Sequence, residues 1–423
     1  MAINEASAGW ARPARIGDSA SLQGRILRAV LFLTILSGFV AIVEPAPYEG
    51  LIGLLLLAAI LAGVSFDRKI LPLVILLLVW NAGLLLALAP VTHDPKAVTY
   101  TFVSLYLAVN AVLFACIVTT HSEERLAVIR SAYILAAFIA SVLGIVGYFR
   151  IAAPDLLLFA GRAKSTFKDP NVFAPFLILP LLFLIQSIIM RGLRPMPLAA
   201  FAVILVGLFL SFSRGAWGHF VLSAVVMVAL MFVTTPSVRF RARITGFAMA
   251  AGAAVAVLVA VLLSLQAVTT MFEERAALVQ SYDTGSGGRF TTQFRAWGQI
   301  FDHPNGLGPL QYAKQFGLDP HNDYLNAFYS NGWIGGVAYP TLVVVTLLVG
   351  FRALLVRTPW QPHLIAVFAT YLGLVSEGFI IGTEHWRHHY LLLGLVWGLA
   401  AATENARREA LRGYGRRYYT NGG

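Results

Sequence analysis

Two arginines and one histidine lie where an otherwise apolar chain would place chemistry. Arg214 follows Ser213 at the start of an apolar segment, Arg289 follows a pair of glycines, and His321 precedes Asn322 at the start of another apolar segment. A guanidinium group binds phosphate oxygens through two parallel hydrogen bonds, and a neutral imidazole takes a proton from a hydroxyl near neutral pH. Together these residue types favour attack of a hydroxyl on a phosphate-bearing donor.

Each of the three residues also has an ordinary interpretation. An arginine at a membrane boundary usually extends to lipid headgroups, and a lone histidine at a helix start is more often a cap or a packed side chain. The chemical interpretation gains weight if the three share one side of a membrane, so the elements that carry them decide between the two.

The composition places the chain in a membrane. Of its 423 residues, 58% are hydrophobic and 12% are charged, whereas a soluble domain has about a quarter charged residues. The apolar residues form blocks of about 17 to 25, the length that a helix needs to cross a bilayer. We therefore predict an all-α integral membrane protein with twelve transmembrane helices, near residues 25–43, 50–66, 70–90, 98–119, 126–149, 171–190, 196–212, 215–233, 244–267, 324–350, 364–382 and 389–403.

The distribution of basic residues predicts the orientation of these helices, because Lys and Arg are retained on the cytoplasmic side. With both termini inside, 20 of the 31 basic residues lie on the inner side and 11 on the outer side. The net charge of +11 is then explained by basic residues on the inner side of the membrane, so no nucleic-acid partner is predicted. The predicted units are a cytoplasmic arm (1–24), helices 1–9 (25–267), an outer loop (268–323), helices 10–12 (324–403) and a basic cytoplasmic tail (404–423).

The outer loop is predicted to contain two amphipathic helices around the glycine-rich turn 285–288. The first covers 268–282, and in the second Phe294, Trp297, Ile300 and Phe301 recur at helical spacing. Such a helix is expected to lie along the membrane surface.

Further residues of the outer side could contact phosphate or glycan, although each also suits ordinary headgroup or loop contacts. Three histidines, His385, His388 and His389, would share a helix face, but contact with a glycan or a neighbouring loop is favoured over a metal site. No convincing carboxylate pair is visible, so neither a metal nor another cofactor is predicted. The lower-ranked candidates are Arg162, Lys164, Lys168, Arg295, Asn322, Trp386 and Arg387.

Four stretches of the sequence resemble bacterial O-antigen ligases, which join a lipid-linked glycan to the lipopolysaccharide core. The most specific is His321-Asn322, nine residues, Gly332, two residues and Gly335. The other stretches lie in the same order as in the family and read STFKDPNVFAPFL (165–177), SFSRGAW (211–217) and GGRFTTQFRAWGQIFDHPNGLGPLQY (287–312).

The resemblance implies a lipid-dependent, GT-C-like glycosyltransferase fold in the bacterial inner membrane with a periplasmic active site. The implied donor is an undecaprenyl-diphosphate-linked glycan, the implied acceptor is the lipid A–core oligosaccharide, and the reaction inverts the anomeric centre. Arg214 and Arg289 match the family's essential arginines, which are expected to bind the diphosphate. His321 matches its essential histidine, the expected general base.

Other functions fit the same sequence. A polysaccharide polymerase or a protein O-oligosaccharyltransferase belongs to the same superfamily and differs in its acceptor. A transporter of the lipid-linked glycan, from another class of protein, would use the arginines to bind the diphosphate without breaking a bond. The histidine-containing signature favours transfer of the glycan to a different acceptor over polymerisation.

The predicted topology can be tested by cysteine labelling after replacement of Cys116, the single cysteine of the chain. A cysteine introduced at Ser286 should react with a membrane-impermeant maleimide on intact cells, because the 268–323 loop is predicted to lie outside. A cysteine at Thr420 should react only after permeabilisation. The reverse pattern would contradict the topology and the shared location of the three site residues.

Overall fold

A computed structural model describes residues 21–276 and 287–420, which are mostly helical. Within these ranges a short antiparallel ribbon pairs β1 (Leu158–Phe159) with β2 (Arg162–Ala163). The helices are α1 (Leu22–Ser37), α2 (Pro47–Leu61), α3 (Leu71–Leu88), α4 (Pro95–Thr119), α5 (Ser122–Tyr148), α6 (Pro154–Leu157), α7 (Pro170–Phe176), α8 (Ile178–Arg191), α9 (Pro195–Leu210), α10 (Arg214–Thr234), α11 (Val238–Leu263), α12 (Gln266–Ala276), α13 (Arg289–Asp302), α14 (Gln311–Phe316), α15 (Asp323–Leu354), α16 (Gln361–Glu377) and α17 (Arg387–Thr420).

Several of these helices are suited to a bilayer. In the described part of the chain, seven helical segments are long and apolar enough to cross a membrane, by length and composition. Two shorter apolar helices, α2 and α9, accompany them. Each of the twelve predicted segments overlaps a helix, and the closely spaced pair 196–212 and 215–233 is two helices, α9 and α10. The chain is thus a helical membrane protein, and the count of twelve spans stays a prediction.

Glycines determine how closely α15 approaches its neighbours. A Cβ atom on Gly83 of α3 would lie 2.6 Å from the Gly335 amide nitrogen, so the backbones of α3 and α15 meet where both residues lack a side chain. Gly332 interrupts α15 with a φ of 65°, a conformation that favours glycine. The Trp333 amide beside it donates to the Pro304 carbonyl at 2.8 Å. Both glycines of the signature therefore have packing roles.

The predicted outer loop contains α12, α13 and α14. On α13, Thr292, Ala296 and Ile300 are buried, whereas Phe294 and Phe301 are 81% and 70% exposed. The predicted helix over 294–301 is confirmed, but Ile300 lies on the buried face and not with the exposed aromatics. The end of the predicted first helix and the turn through Ser286 lie outside the described residues.

Asp323 joins the start of α15 to the connection between α16 and α17. Its amide donates to the Gly378 carbonyl at 2.8 Å, and its carboxyl accepts from the Thr383 amide at 2.7 Å. The Thr383 hydroxyl and the Tyr339 hydroxyl also donate to this carboxyl, at 2.5 and 3.1 Å. The residue is 1% exposed, so these donors depend on the carboxyl for their hydrogen bonds.

We expect Asp323→Leu to lower the melting temperature of the purified protein in detergent. It removes the acceptor for three buried donors, and each unsatisfied donor costs about 1–3 kcal/mol. Asp323→Asn keeps one carbonyl acceptor and should lower it less. Asp319→Leu, at an exposed aspartate nearby, serves as the control. Equal melting temperatures of Asp323→Leu and wild type would show that the carboxyl does not stabilise the contact between α15 and the connection from α16 to α17.

Candidate functional site

Arg214 and Arg289 lie beside the same short segment, the α16–α17 connection (residues 378–386). A guanidinium nitrogen of Arg289 donates to the Ile380 carbonyl at 3.2 Å. A Cβ atom on Gly215, the residue after Arg214, would lie 3.4 Å from Ile380 Cδ1. The structure thus places Arg289 and the start of α10, which carries Arg214, beside the same residue, Ile380.

Each of the two arginines is the first residue of a helix, α10 or α13. The first turns of a helix present unpaired N–H groups and the positive end of the helix dipole. An anion held between Arg214 and Arg289 would therefore meet two guanidinium groups and two helix N-termini. This arrangement suits a phosphate or diphosphate group.

The turn before Arg214 is held in place by Arg162. Phe212 in this turn is buried and has a φ of 48°, and the Ser213 hydroxyl caps α10 by accepting from the Ala216 amide. Arg162 is 8% exposed, and it donates to the Ser211 carbonyl and to Asn171 Oδ1, both at 2.8 Å. Arg162 thus positions the turn that carries Arg214, and its lower-ranked role as a substrate contact stays a prediction.

His321 lies next to the helix that carries Arg289. Gln293, one turn after Arg289 on α13, donates to the Pro320 carbonyl at 2.8 Å. His321 is half-buried and has a φ of 47°, which is uncommon for a residue with a side chain and is frequent at functional sites. Asn322 caps α15 by accepting from the Leu325 amide at 2.9 Å, so this predicted substrate contact has a structural role.

A buried histidine and glutamate connect the helices behind Arg214. His219 Nδ1 on α10 lies 2.8 Å from Glu377 Oε2 on α16, and His219 Nε2 lies 3.0 Å from the Thr370 carbonyl oxygen. The other carboxyl oxygen of Glu377 would lie 2.9 Å from a Cβ on Gly215. Because both ring nitrogens face oxygen atoms, the pair must share a proton, either as imidazolium and carboxylate or as two neutral groups.

Sequence reasoning found only half of this pair. The sequence indicates that Glu377 faces the protein interior, because a carboxyl is costly in lipid, but the resemblance and the charge pattern do not single out His219. The available signal was a histidine five residues after Arg214 within an apolar helix, since an ionisable group in a membrane helix usually has a partner.

The α16–α17 connection continues to a second polar group. Glu384 Oε1 accepts from Asn326 Nδ2 at 2.7 Å and from the Tyr100 hydroxyl at 3.2 Å. Burial alone would raise the pKa of Glu384, but hydrogen bonds from Asp323 and Asn326 outweigh burial and lower the pKa below its ordinary value. Burial lowers the pKa of neighbouring His385 to about 4.

The three histidines at the end of the connection and the start of α17 contact different residues. The His385 ring lies 3.7 Å from the Tyr100 ring, between centroids, and His388 lies 5.2 Å from Trp386. His389 Nδ1 lies 3.3 Å from the Thr383 hydroxyl. Among the described residues no group of three or more His, Cys, Asp or Glu side chains is arranged as a metal site.

Three of the remaining predicted cations contact other residues of the protein. Lys168 pairs with Glu44 at 2.5 Å. Arg387 pairs with Glu49, also at 2.5 Å. Arg295 lies over the Phe316 ring of α14 at 5.5 Å, and Lys164 is half-buried beside the β-ribbon.

Comparison with known families covers part of the candidate site. A family model described as O-antigen ligase matches residues 199–339. This range includes Arg214, Arg289 and His321, together with both glycines of α15, but not Lys168 or Arg387. No curated protein matches the chain significantly. The region that carries the two arginines and the histidine, a third of the chain, is therefore similar to the O-antigen ligase family.

Proposed function

We propose that the protein is an O-antigen ligase of the bacterial inner membrane. It transfers a glycan from undecaprenyl diphosphate to a hydroxyl of the lipid A–core oligosaccharide at the periplasmic face. The observation that carries the proposal is the convergence of Arg214, Arg289 and the His321 segment within the region matched by the family model.

The proposed orientation has twelve membrane spans and both termini in the cytoplasm. It is supported by the excess of basic residues on the inner side and by the overlap of each predicted span with a helix. In this orientation Arg214, Arg289 and His321 all lie on the periplasmic side. A lipid-linked diphosphate would present its headgroup at that depth.

The proposed reaction is a direct displacement. The acceptor oxygen attacks the anomeric carbon of the donor, a new glycosidic C–O bond forms, and the bond from that carbon to the diphosphate oxygen breaks. His321 takes the proton of the acceptor hydroxyl, and the diphosphate leaves with the bonding electron pair. Arg214 and Arg289 stabilise the developing negative charge, a role for which preorganised donors are effective. One displacement inverts the anomeric centre and needs no enzyme nucleophile.

A reconstituted reaction tests the function. Purified protein, lipid-linked glycan and core acceptor should yield a covalently joined glycan–core product. Elongation of the donor glycan in place of core attachment would indicate a polymerase, and attachment to a protein would indicate an oligosaccharyltransferase. Movement of the donor across vesicle membranes without any covalent product would indicate a transporter. In cells, loss of the gene should remove the long-chain lipopolysaccharide ladder while lipid-linked glycan is retained.

We expect substitutions of the arginines and of the histidine to impair different steps of the reaction. Arg214→Ala and Arg289→Ala should weaken donor binding as well as turnover, and lysine should substitute poorly because it lacks the planar fork. His321→Ala should leave donor binding nearly unchanged and lower turnover by roughly 10²–10⁴. Donor binding measured without acceptor, together with single-turnover rates, separates the two effects.

The variants Arg150→Ala and His303→Ala, at two exposed residues, serve as matched controls. Each variant must insert in the membrane and melt like wild type. A well-folded His321→Ala protein that ligates at the wild-type rate would exclude the general-base role and leave His321 as a packing residue.

Activity should persist in EDTA, because the proposal assigns stabilisation of the diphosphate to arginines. The measurement is product formation after removal of divalent ions, with and without their restoration. A loss of activity restored specifically by one metal would contradict this part of the proposal. It would direct attention to Asp302, Asp319 and the histidines at 385–389.

A further inference from the structure

A cavity of about 230 Å³ lies at the far end of the α16–α17 connection from Ile380. Its walls come from the ends of α1 and α2, from α5, from the segment before and within α7, and from the start of α17. The cavity takes no part in the proposed displacement of the diphosphate.

Aromatic side chains form much of the cavity wall. Phe176 lies 4.7 Å from Tyr133 and 5.1 Å from Phe167, between ring centroids. Tyr48 and Trp386 also line the cavity. Flat aromatic walls with a few polar groups are typical of small-molecule sites. They suit a sugar ring, whose C–H face packs on an aromatic ring while its hydroxyls point to polar groups at the edge.

The charges at the cavity are already compensated within the protein. Lys168 lies 2.5 Å from Glu44, and both line the cavity. Arg387 lies 2.5 Å from Glu49 and packs over the Tyr48 ring at 5.3 Å. A diphosphate or a phospholipid headgroup needs cations that are not neutralised by nearby carboxylates. Paired charges instead offer both donors and acceptors, which matches the hydroxyl groups of a neutral sugar.

The position of the cavity relates it to the proposed site. Ile380 accepts from Arg289, and Trp386 lines the cavity. The two lie six positions apart, so their Cα atoms are at most about 22 Å apart. Between them Thr383 and Glu384 bind Asp323 and Asn326, close after His321 on α15. An oligosaccharide can bridge this distance.

We propose that the cavity binds a neutral sugar ring of the acceptor oligosaccharide, which stacks on Trp386 and hydrogen-bonds to the paired charged groups at the cavity edge. This inference rests on the proposed ligase function. It adds an acceptor site separate from the arginines, which hold the donor diphosphate. The bound ring anchors the acceptor while the hydroxyl of another sugar reaches His321.

The test measures binding of delipidated core oligosaccharide to the purified full-length protein in nanodiscs, without donor and without reaction. Trp386→Ala should weaken binding about tenfold, the equivalent of one lost aromatic contact. Trp386→Phe should restore most of the affinity because it keeps an aromatic face. Trp297→Ala, at an exposed tryptophan of α13, should bind like wild type.

A second variant keeps the test decisive if Trp386→Ala does not fold. Ala41→Phe adds a ring at a half-buried position of the cavity wall without removing a polar group, and it should also weaken binding about tenfold by occupying the space. Wild-type affinity in a folded Trp386→Ala or Ala41→Phe protein would overturn the inference. Retained core binding with weakened binding of the lipid-linked donor would show that the sugar belongs to the donor.

These outcomes are distinguishable from failure of the ligase proposal. If the wild-type protein binds core oligosaccharide but forms no joined product, the proposed function fails and the sugar site stands. If it ligates normally and the cavity variants keep both the affinity and the KM for the acceptor, only the sugar site fails.

Discussion

The buried carboxyl of Asp323 determines how the parts of the candidate site are placed relative to one another. It is the first residue of α15, two positions after His321, and its hydrogen bonds reach Gly378, Thr383 and Tyr339. The connection that it holds carries Ile380 toward the arginines in one direction and Trp386 toward the cavity in the other. A carboxyl buried with several donors is rigid, because each donor would lose its partner if the segment moved.

A second buried pair stabilises the arginine side of the site. His219 and Glu377 connect α10 to α16 just below the turn that presents Arg214. Breaking one partner of such a pair leaves an uncompensated polar group in the interior. Together with Arg162, which holds the Ser211 carbonyl, the pair keeps Arg214 at the start of its helix. Preorganised charge of this kind stabilises a developing anion without reorganisation during the reaction.

The cations of the site lie in two different surroundings, which suit two binding functions. Arg214 and Arg289 lie at helix N-termini around Ile380. Lys168 and Arg387 each lie 2.5 Å from a carboxylate. The first arrangement suits a diphosphate and the second suits uncharged hydroxyl groups. Donor and acceptor would thus be recognised at the two ends of one connection, with His321 near its middle.

The sequence by itself determined the membrane class and the approximate positions of the long apolar helices, because long apolar blocks and proline or capping residues at their starts act locally. It also indicated Arg214, Arg289 and His321, through residue type and a spacing similar to the O-antigen ligases. Tertiary structure alone decided which cations are paired, that His219 meets Glu377, and that Gly335 approaches Gly83. These contacts join residues far apart in the chain, and composition and periodicity report only on neighbours within a helix. The charge available to a ligand depends on such distant partners, so only the folded chain could reveal it.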